Sequence, residues 1–298
     1  MSIYITGASG FVGKNLVEYF KYSKTIVKAT RNSPIEIEEQ VVIHLAGKAH
    51  DLKNVSTPDE YYKVNTELTN EIFDAFLASK AKLFITLSSV KAVADGIEGE
   101  LSEDVIPNPT THYGKSKLLA EQYILSQSIP EGKRVYILRP CMIHGPGNKG
   151  NLNLLYSLVS KGLPWPLGLF ENSRSYLSIE NLCFIIKELI DREDIPSGIY
   201  NIADDVSLST NEVIRLIGEL KGGKAKILRL NKSFVSFLAQ LGTLMKFPFN
   251  SERLSKLTES YMVSNDKIRK ALGKSLPVSS KEGLIRTFES FANKKSSN

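Results

Sequence analysis

Short apolar runs alternate with stretches of helical period through the first half of the chain. SIYIT (2–6), TIVKAT (25–30), VVIHLAG (41–47), LFITLSS (83–89) and RVYILRP (134–140) are rich in β-branched residues and end in turn formers, which predicts strands. Between them the period changes. From Asp59 to Lys80 the apolar residues Val64, Leu68, Ile72 and Phe76 recur every fourth position, after Ser56, Thr57 and Pro58 as a capping and first-turn signal. Such alternation predicts βαβ units, and hence an α/β fold with a doubly wound parallel sheet.

The first of these units carries chemistry. IYITGASGFVGKNLVEYF places Gly7, Gly10 and Gly13 between the opening strand and a helix. A tight turn there needs a residue free to take positive φ, and a pyrophosphate needs close approach to backbone and to the unpaired N–H groups of a helix N-terminus. The position predicts dinucleotide binding, although the spacing is GxxGxxG rather than GxGxxG.

After LRPCMIHGPGNKG the rhythm breaks at a run of glycines and prolines. Residues 1–148 are therefore expected to form the dinucleotide-binding domain. Residues 149–298 should form a smaller, mainly substrate-binding one, with 175–205 returning to the first. SGIYNIAD reads as a further strand, and STNEVIRLIGEL as a helix opened by a Ser209/Glu212 capping box. SFVSFLAQLGTLMKFPF is interrupted by Ser236, Gln240, Gly242, Thr243 and Lys246, far from ~20 continuous apolar residues. It is expected to be a buried amphipathic helix without membrane insertion.

Composition narrows the class. Hydrophobic residues at 42% and charged residues at 23% over 298 positions predict a folded body, with NKKSSN as a tail. The net charge of +6 comes from lysines spread along the whole chain, which suits anionic small ligands and not a nucleic-acid surface. Cys141 and Cys183 have neither CxxC spacing nor a histidine cluster near them, so neither disulfide nor metal is expected. The opening strand leaves no room for a signal peptide, and a reducing, cytoplasmic location is expected.

NPTTHYGKSK raises the question of a reacting centre, because Tyr113 stands four residues before Lys117 as a helix begins. Spacing alone proves little: 12 tyrosines and 28 lysines in 298 residues make about one such pair by chance. The helix face says more. Tyr113, Lys117, Ala120 and Ile124 share it, so the lysine points toward apolar positions and needs a buried partner. A tyrosine of pKa ~10 becomes a base near neutrality only with positive charge beside it, and lowering it to ~7 requires ~4 kcal/mol of preference for the phenolate. Ser88 and Ser89 end a predicted strand at its carboxyl end, where ligands sit in parallel sheets.

Together TGASGFVG, HLAG, LSSVK, YGKSK, LRPxxIHGPG and SRSYLSIENL resemble, in order and spacing, the extended short-chain dehydrogenase/reductase family of NAD-dependent epimerase/dehydratase type. The resemblance runs over nearly the whole chain and implies a Rossmann sheet and NAD or NADP. Ser89, Tyr113 and Lys117 would be catalytic. Gly7, Gly10, Phe11, Val12, Gly13, Arg31, Leu45, Ala46, Gly47, Asn65, Tyr113 and Lys117 would hold the cofactor. Ser89, Lys91, Tyr113, Asn151, Leu152, Arg174 and Arg253 would meet a nucleotide-sugar, in particular a UDP-sugar, and family members are commonly homodimers.

Three departures from the family pattern matter. Val90 and Lys91 replace the Asp-Glu of the 4,6-dehydratases, which argues against elimination. Arg31 stands where NAD enzymes carry an acid, and only nine residues separate it from Val41, so PIEIEE must replace the usual third βα unit. Met142 takes a place often held by asparagine, and His144 one often held by tyrosine; the histidine is expected to be structural. Two reactions stay open, 4-epimerisation of a UDP-sugar and reduction of a 4-keto sugar. A non-catalytic NAD(P)-binding sensor is a more distant alternative.

Overall fold

The structure, a computed structural model, describes residues 1–30, 33–48, 57–148, 150–245, 247 and 250–295. Its first half contains β1 (Ser2–Thr6), α1 (Phe11–Phe20), β2 (Thr25–Lys28), β3 (Val41–His44), α2 (Pro58–Tyr62), α3 (Leu68–Ala78), β4 (Leu83–Leu87), β5 (Glu100–Leu101), α4 (His112–Ser126) and β6 (Arg134–Pro140). There follow β7 (Met142–His144), α5 (Asn151–Ser160), β8 (Tyr176–Ser178), α6 (Ile179–Asp191), β9 (Gly198–Ile202) and α7 (Thr210–Leu220). The chain closes with α8 (Lys232–Leu244), α9 (Ser251–Thr258), β10 (Met262–Val263), α10 (Asp266–Leu272) and α11 (Ser280–Lys295).

Six strands form one parallel sheet in the order β2-β1-β3-β4-β6-β9. All six expected strands are in it. The order reverses between β1 and β3, and a crevice at such a switch point is where parallel sheets bind ligands. Register aligns the carboxyl ends there: Thr6 lies opposite His44, and His44 opposite Thr86. No strand is found among residues 33–40, so β2 is the sheet edge and the short segment does replace a βα unit.

Alternation sends the strand side chains to two cores. Ile3, Ile5, Ile43, Ile85 and Leu138 pack on one side with Leu16 and Phe20 of α1 and Leu182 and Ile186 of α6. On the other side Tyr4, Val42 and Phe84 meet Phe73 and Phe76 of α3 and Ile124 of α4. A separate apolar core joins Leu152, Tyr156, Trp165, Ile214, Ile217, Val235 and Phe288. The Ser209/Glu212 capping box is present at the start of α7.

Two expectations fail locally. The single helix from Asp59 to Lys80 is α2 and α3 joined by a π turn at Lys63–Glu67. The extra residue rotates the chain, so Val64 and Leu68 are only half-buried while Asn65 and Thr69 turn inward. The second failure is α8. Val235, Ala239 and Gly242 face inward, but Phe234, Phe237, Leu238, Leu241 and Leu244 are exposed, because the helix has two apolar arcs and one core to cover them. No helix among the described residues is long and apolar enough to cross a membrane.

Behind the crevice, α4 is clamped to the sheet by a buried ion pair. Arg139 Nε of β6 lies 3.0 and 3.1 Å from the two carboxylate oxygens of Glu121 on α4, and the Ser88 hydroxyl donates to the same carboxylate. Both charged side chains are almost fully enclosed. Removing one partner leaves a buried charge uncompensated, so Glu121→Ala should destabilise the fold by about 3–5 kcal/mol. Urea denaturation measures this; a cost below ~1 kcal/mol, the range of an exposed pair, would contradict the clamp.

Candidate active site

The glycine loop of β1 and α1 is built as a cradle. Gly7 has φ +69°, and a Cβ there would sit 2.6 Å from the backbone of Leu45 and Ala46; at Gly13 it would sit 2.3 Å from the Gly7 carbonyl oxygen. At Gly7 the loop after β1 therefore comes into direct backbone contact with the loop after β3. Gly10 is the N-cap of α1, no side chain caps it, and its first turn holds no acid. Elsewhere Ser209 and Asn250 cap their helices. The N–H groups at Phe11, Val12 and Gly13 are thus left for an anion, which fits the pyrophosphate of a dinucleotide.

A hydrogen-bond chain sets the depth of the crevice. Thr6 Oγ1 accepts from the backbone N–H groups of Leu45 and Ala46 (3.2 and 3.1 Å), so its own proton goes to His44 Nδ1 at 2.8 Å. His44 Nε2 then donates to Thr69 Oγ1 at 3.0 Å, which donates to the Asn65 carbonyl at 2.8 Å. Burial and the nearby Lys117 charge push the His44 pKa down to about 3, so the ring is neutral, as this chain requires. Asn65 continues the network: Oδ1 accepts from Lys48 N (2.7 Å), and Nδ2 donates to the Lys48 carbonyl and to Ser116 Oγ (both 3.1 Å).

Ser116 Oγ in turn donates to the Tyr113 carbonyl at 2.8 Å in the first turn of α4. That turn is opened by Thr111, whose hydroxyl accepts from Gly114 N at 3.1 Å. As the shared face predicts, Lys117, Ala120 and Ile124 are buried. Lys117 Nζ donates to the Leu87 carbonyl at the end of β4 (2.9 Å), and a Cβ on Gly47 would lie 3.1 Å from it. Burial lowers the Lys117 pKa to about 8, against an opposing pull from Glu121 one turn on. Ser89, buried at the end of β4, hydrogen-bonds the Tyr113 side chain.

The protein's own groups do not by themselves depress the Tyr113 pKa. Enclosure of the hydroxyl raises its pKa above the usual phenol value, with the Ser89 hydrogen bond opposing and the neighbouring Tyr61 adding to the rise. Desolvation outweighs the hydrogen bond in the protein alone. The phenol is therefore held protonated at neutral pH.

Lys91, Arg174 and Lys256 come together beyond Ser89. Lys91 follows the cap residue Ser89, donates to the Asp95 carbonyl and lies 4.1 Å over the Tyr261 ring. Burial lowers its pKa; Asp95 and Glu259 oppose this, and the Arg174 and Lys256 charges reinforce it. Arg174 is half-buried, held by backbone bridges to Leu208 and Tyr261, and its guanidinium donates to the Lys256 carbonyl.

Other expected residues differ in what they offer. Asn151 opens α5 and is half-buried, but the Leu152 side chain is packed in the apolar core, which leaves only its backbone for a ligand. Arg253 is exposed on α9; Lys256, one turn further and missed in the sequence, is the α9 cation near Lys91. Arg31 lies outside the described residues. Met142 packs against the separate core of Leu152, Tyr156 and Trp165. His144 is fully buried with Nδ1 2.9 Å from Thr287 Oγ1, a structural place, and His112 is exposed beside Tyr62. Cys141 and Cys183 are free and buried, and no metal-binding cluster of His, Cys, Asp or Glu occurs among the described residues.

Comparison with known proteins fits this arrangement. Residues 29–203 match the model of the NAD-dependent epimerase/dehydratase family. The UDP-glucose 4-epimerase of Vibrio cholerae is 28% identical over 97% of this chain and 95% of its own. The GDP-6-deoxy-D-mannose reductase of Pseudomonas aeruginosa is 25% identical over 76% of this chain and 82% of its own. MoeE5, solved in complex with UDP-glucose and NAD, shares the fold with a TM-score of 0.77 at 20% identity, covering 99% of this chain and 100% of its own. Because the family match spans more than half of the chain, this protein belongs to the NAD-dependent epimerase/dehydratase family and is an NAD(P)-dependent enzyme of the epimerase or reductase type.

Proposed function

We propose that the protein is a nucleotide-sugar 4-epimerase acting on a UDP-linked hexose or N-acetylhexosamine. The observation that carries the reading is the Ser89–Tyr113 hydrogen bond beside the buried Lys117, at the switch point of the sheet, with Lys91, Arg174 and Lys256 gathered on the substrate side. Bound NAD(P) supplies the acceptor and donor of a hydride. The glycine loop holds its pyrophosphate, and Leu45, Ala46, Gly47 and Asn65 form the wall beside it.

Ser89 positions the sugar 4-hydroxyl, and Tyr113 takes the hydroxyl proton as hydride leaves C4 and returns it to the same oxygen once hydride has come back to the opposite face of C4. Lys117 supports the phenolate electrostatically, with ammonium protons left beyond the one given to Leu87. Cations at the far end suit a diphosphate, since guanidinium and ammonium groups both pair with phosphate oxygens. Val90 and Lys91 provide no acid-base pair for elimination. A homodimer is part of the reading and is measured by light scattering.

Reduction of a UDP-linked 4-keto sugar is the second reading, supported by the similarity to the reductase of Pseudomonas aeruginosa; there the protonated Tyr113 phenol would donate to the forming alkoxide. One experiment separates the two. The purified protein is analysed for co-purifying nucleotide, then mixed with UDP-galactose or UDP-N-acetylgalactosamine without added cofactor. Epimerisation by a protein that carries its own NAD supports the first reading; an empty protein that oxidises NADPH only when given a 4-keto sugar replaces it by the second.

Tyr113→Phe should lower turnover by ~10²–10⁴-fold while NAD(P) affinity, measured by calorimetry, stays unchanged. Unchanged turnover would remove Tyr113 from the chemistry. The pH profile should fall on its alkaline side. As pH rises through about 8, Lys117 loses its proton and with it the support of the phenolate, so kcat/KM declines. Lys117→Arg, whose charge persists beyond pH ~12, should shift that decline upward even though its maximal rate is lower; an unmoved limb would assign it to another group.

A further inference from the structure

The lysines run through the whole chain, but their excess over acids does not. Residues 221–256 contain eight lysines and arginines against one glutamate, a net of +7; the whole chain carries +6, so the other 262 residues sum to −1. The even spread of lysine thus conceals one strongly basic segment. At its centre lies α8. With ~100° per residue, Phe234, Phe237, Leu238, Leu241, Leu244 and Met245 fall within an arc of about 120° on this helix and its cap. All six are 37% to 79% exposed. The adjoining arc, Val235, Ala239 and Gly242, is buried against the body of the protein.

Single exposed apolar residues are ordinary, whereas six large ones on one arc make the kind of contiguous patch that marks an interaction site. Charge decides between candidates. A second copy seated on the same face about a two-fold axis would bring +7 against +7 around the apolar centre, and juxtaposed like charges oppose association. An anionic bilayer meets both features at once, since the phenylalanines and leucines enter the acyl boundary while lysine and arginine attract the phosphates. Lys224, Lys226 and Arg229 precede the helix and Lys232 is its first residue; all four are exposed. The 13 residues of α8 span roughly 20 Å at ~1.5 Å each, short of a ~30 Å hydrocarbon core, so the helix would lie in the interface and not across it.

We propose that the outer face of α8 docks this protein peripherally on an anionic phospholipid bilayer. The docking face adjoins the substrate side. Thr243 Oγ1 on α8 accepts from Ser251 N at 3.0 Å, which ties it to α9, and the Lys256 carbonyl of α9 holds Arg174. The proposal does not depend on which sugar is converted.

Co-sedimentation of the full chain with vesicles tests it. Binding is expected to vesicles of phosphatidylcholine mixed with phosphatidylglycerol, weaker binding to phosphatidylcholine alone, and release as salt shortens the screening length from ~10 Å toward ~3 Å. The triple variant Phe234→Ser, Phe237→Ser, Leu241→Ser should bind the mixed vesicles at least ~10-fold more weakly, with circular dichroism and melting unchanged because no buried side chain is altered. Lys224→Glu with Lys226→Glu should weaken binding independently of the apolar face. Failure of the native chain to sediment with mixed vesicles, or equal sedimentation of the variants, overturns the proposal. A native dimer that the triple variant converts to monomer, without vesicle binding, assigns the face to a second copy instead.

Discussion

The buried ammonium of Lys117 is the constraint around which the crevice is arranged. An ammonium taken out of water costs several kcal/mol unless nearby groups replace its hydration. Here the Leu87 carbonyl at the end of β4 accepts one hydrogen bond from it, and Glu121 lies one turn along α4. Glu121 is not free to move toward it, because Arg139 and Ser88 hold its carboxylate. The cation therefore sits in the field of a fixed acid rather than in a closed ion pair, and it is less than fully compensated. Burial accordingly lowers its pKa to about 8, with Glu121 opposing. The arrangement leaves ammonium protons available and an environment that gains from a further polar partner.

Burial, reinforced by the same cation, keeps the histidine on the opposite wall neutral. His44 could hold a proton only against complete enclosure and against the Lys117 charge, and its two threonine partners match the neutral ring. A neutral His44 fixes the spacing between the ends of β1 and β3 and the π turn that carries Asn65. The π turn has a structural cost in regular helical bonding, offset by what Asn65 then satisfies: the backbone of Lys48 and the Ser116 hydroxyl under Tyr113. The loop after β3, the π turn and the first turn of α4 are thus held by one polar network.

Much of this is legible in the sequence where a local pattern decides it. Six strands, the capping box at Ser209, the glycine cradle and the inward face of Lys117 follow from period and turn chemistry. The phase of Val64 and Leu68 is not legible, because a π turn leaves no period of its own in five residues. Thr6 and His44 read as ordinary strand residues, and their pairing appears only when β1 lies beside β3. Glu121 and Arg139 lie 18 positions apart on different elements, so neither announces the other. The helix face of Tyr113 follows from spacing, but the direction of its pKa change does not: burial, which spacing does not reveal, outweighs the neighbouring hydrogen bond.

Period also misleads where a helix has more apolar surface than its fold can cover. In α8 the inward arc is made of Val235, Ala239 and Gly242, small side chains that allow close approach but bury little area each. The large side chains lie on the outer arc. Burial of the helix by its own fold would have reversed that distribution, since area removed from water grows with side-chain size. Small residues inward and phenylalanines outward are the distribution of a helix held in place by its body and shaped for something outside it. With α9 joined to α8 through Thr243 and Ser251, whatever covers that outer arc lies one helix away from the carbonyl that holds Arg174.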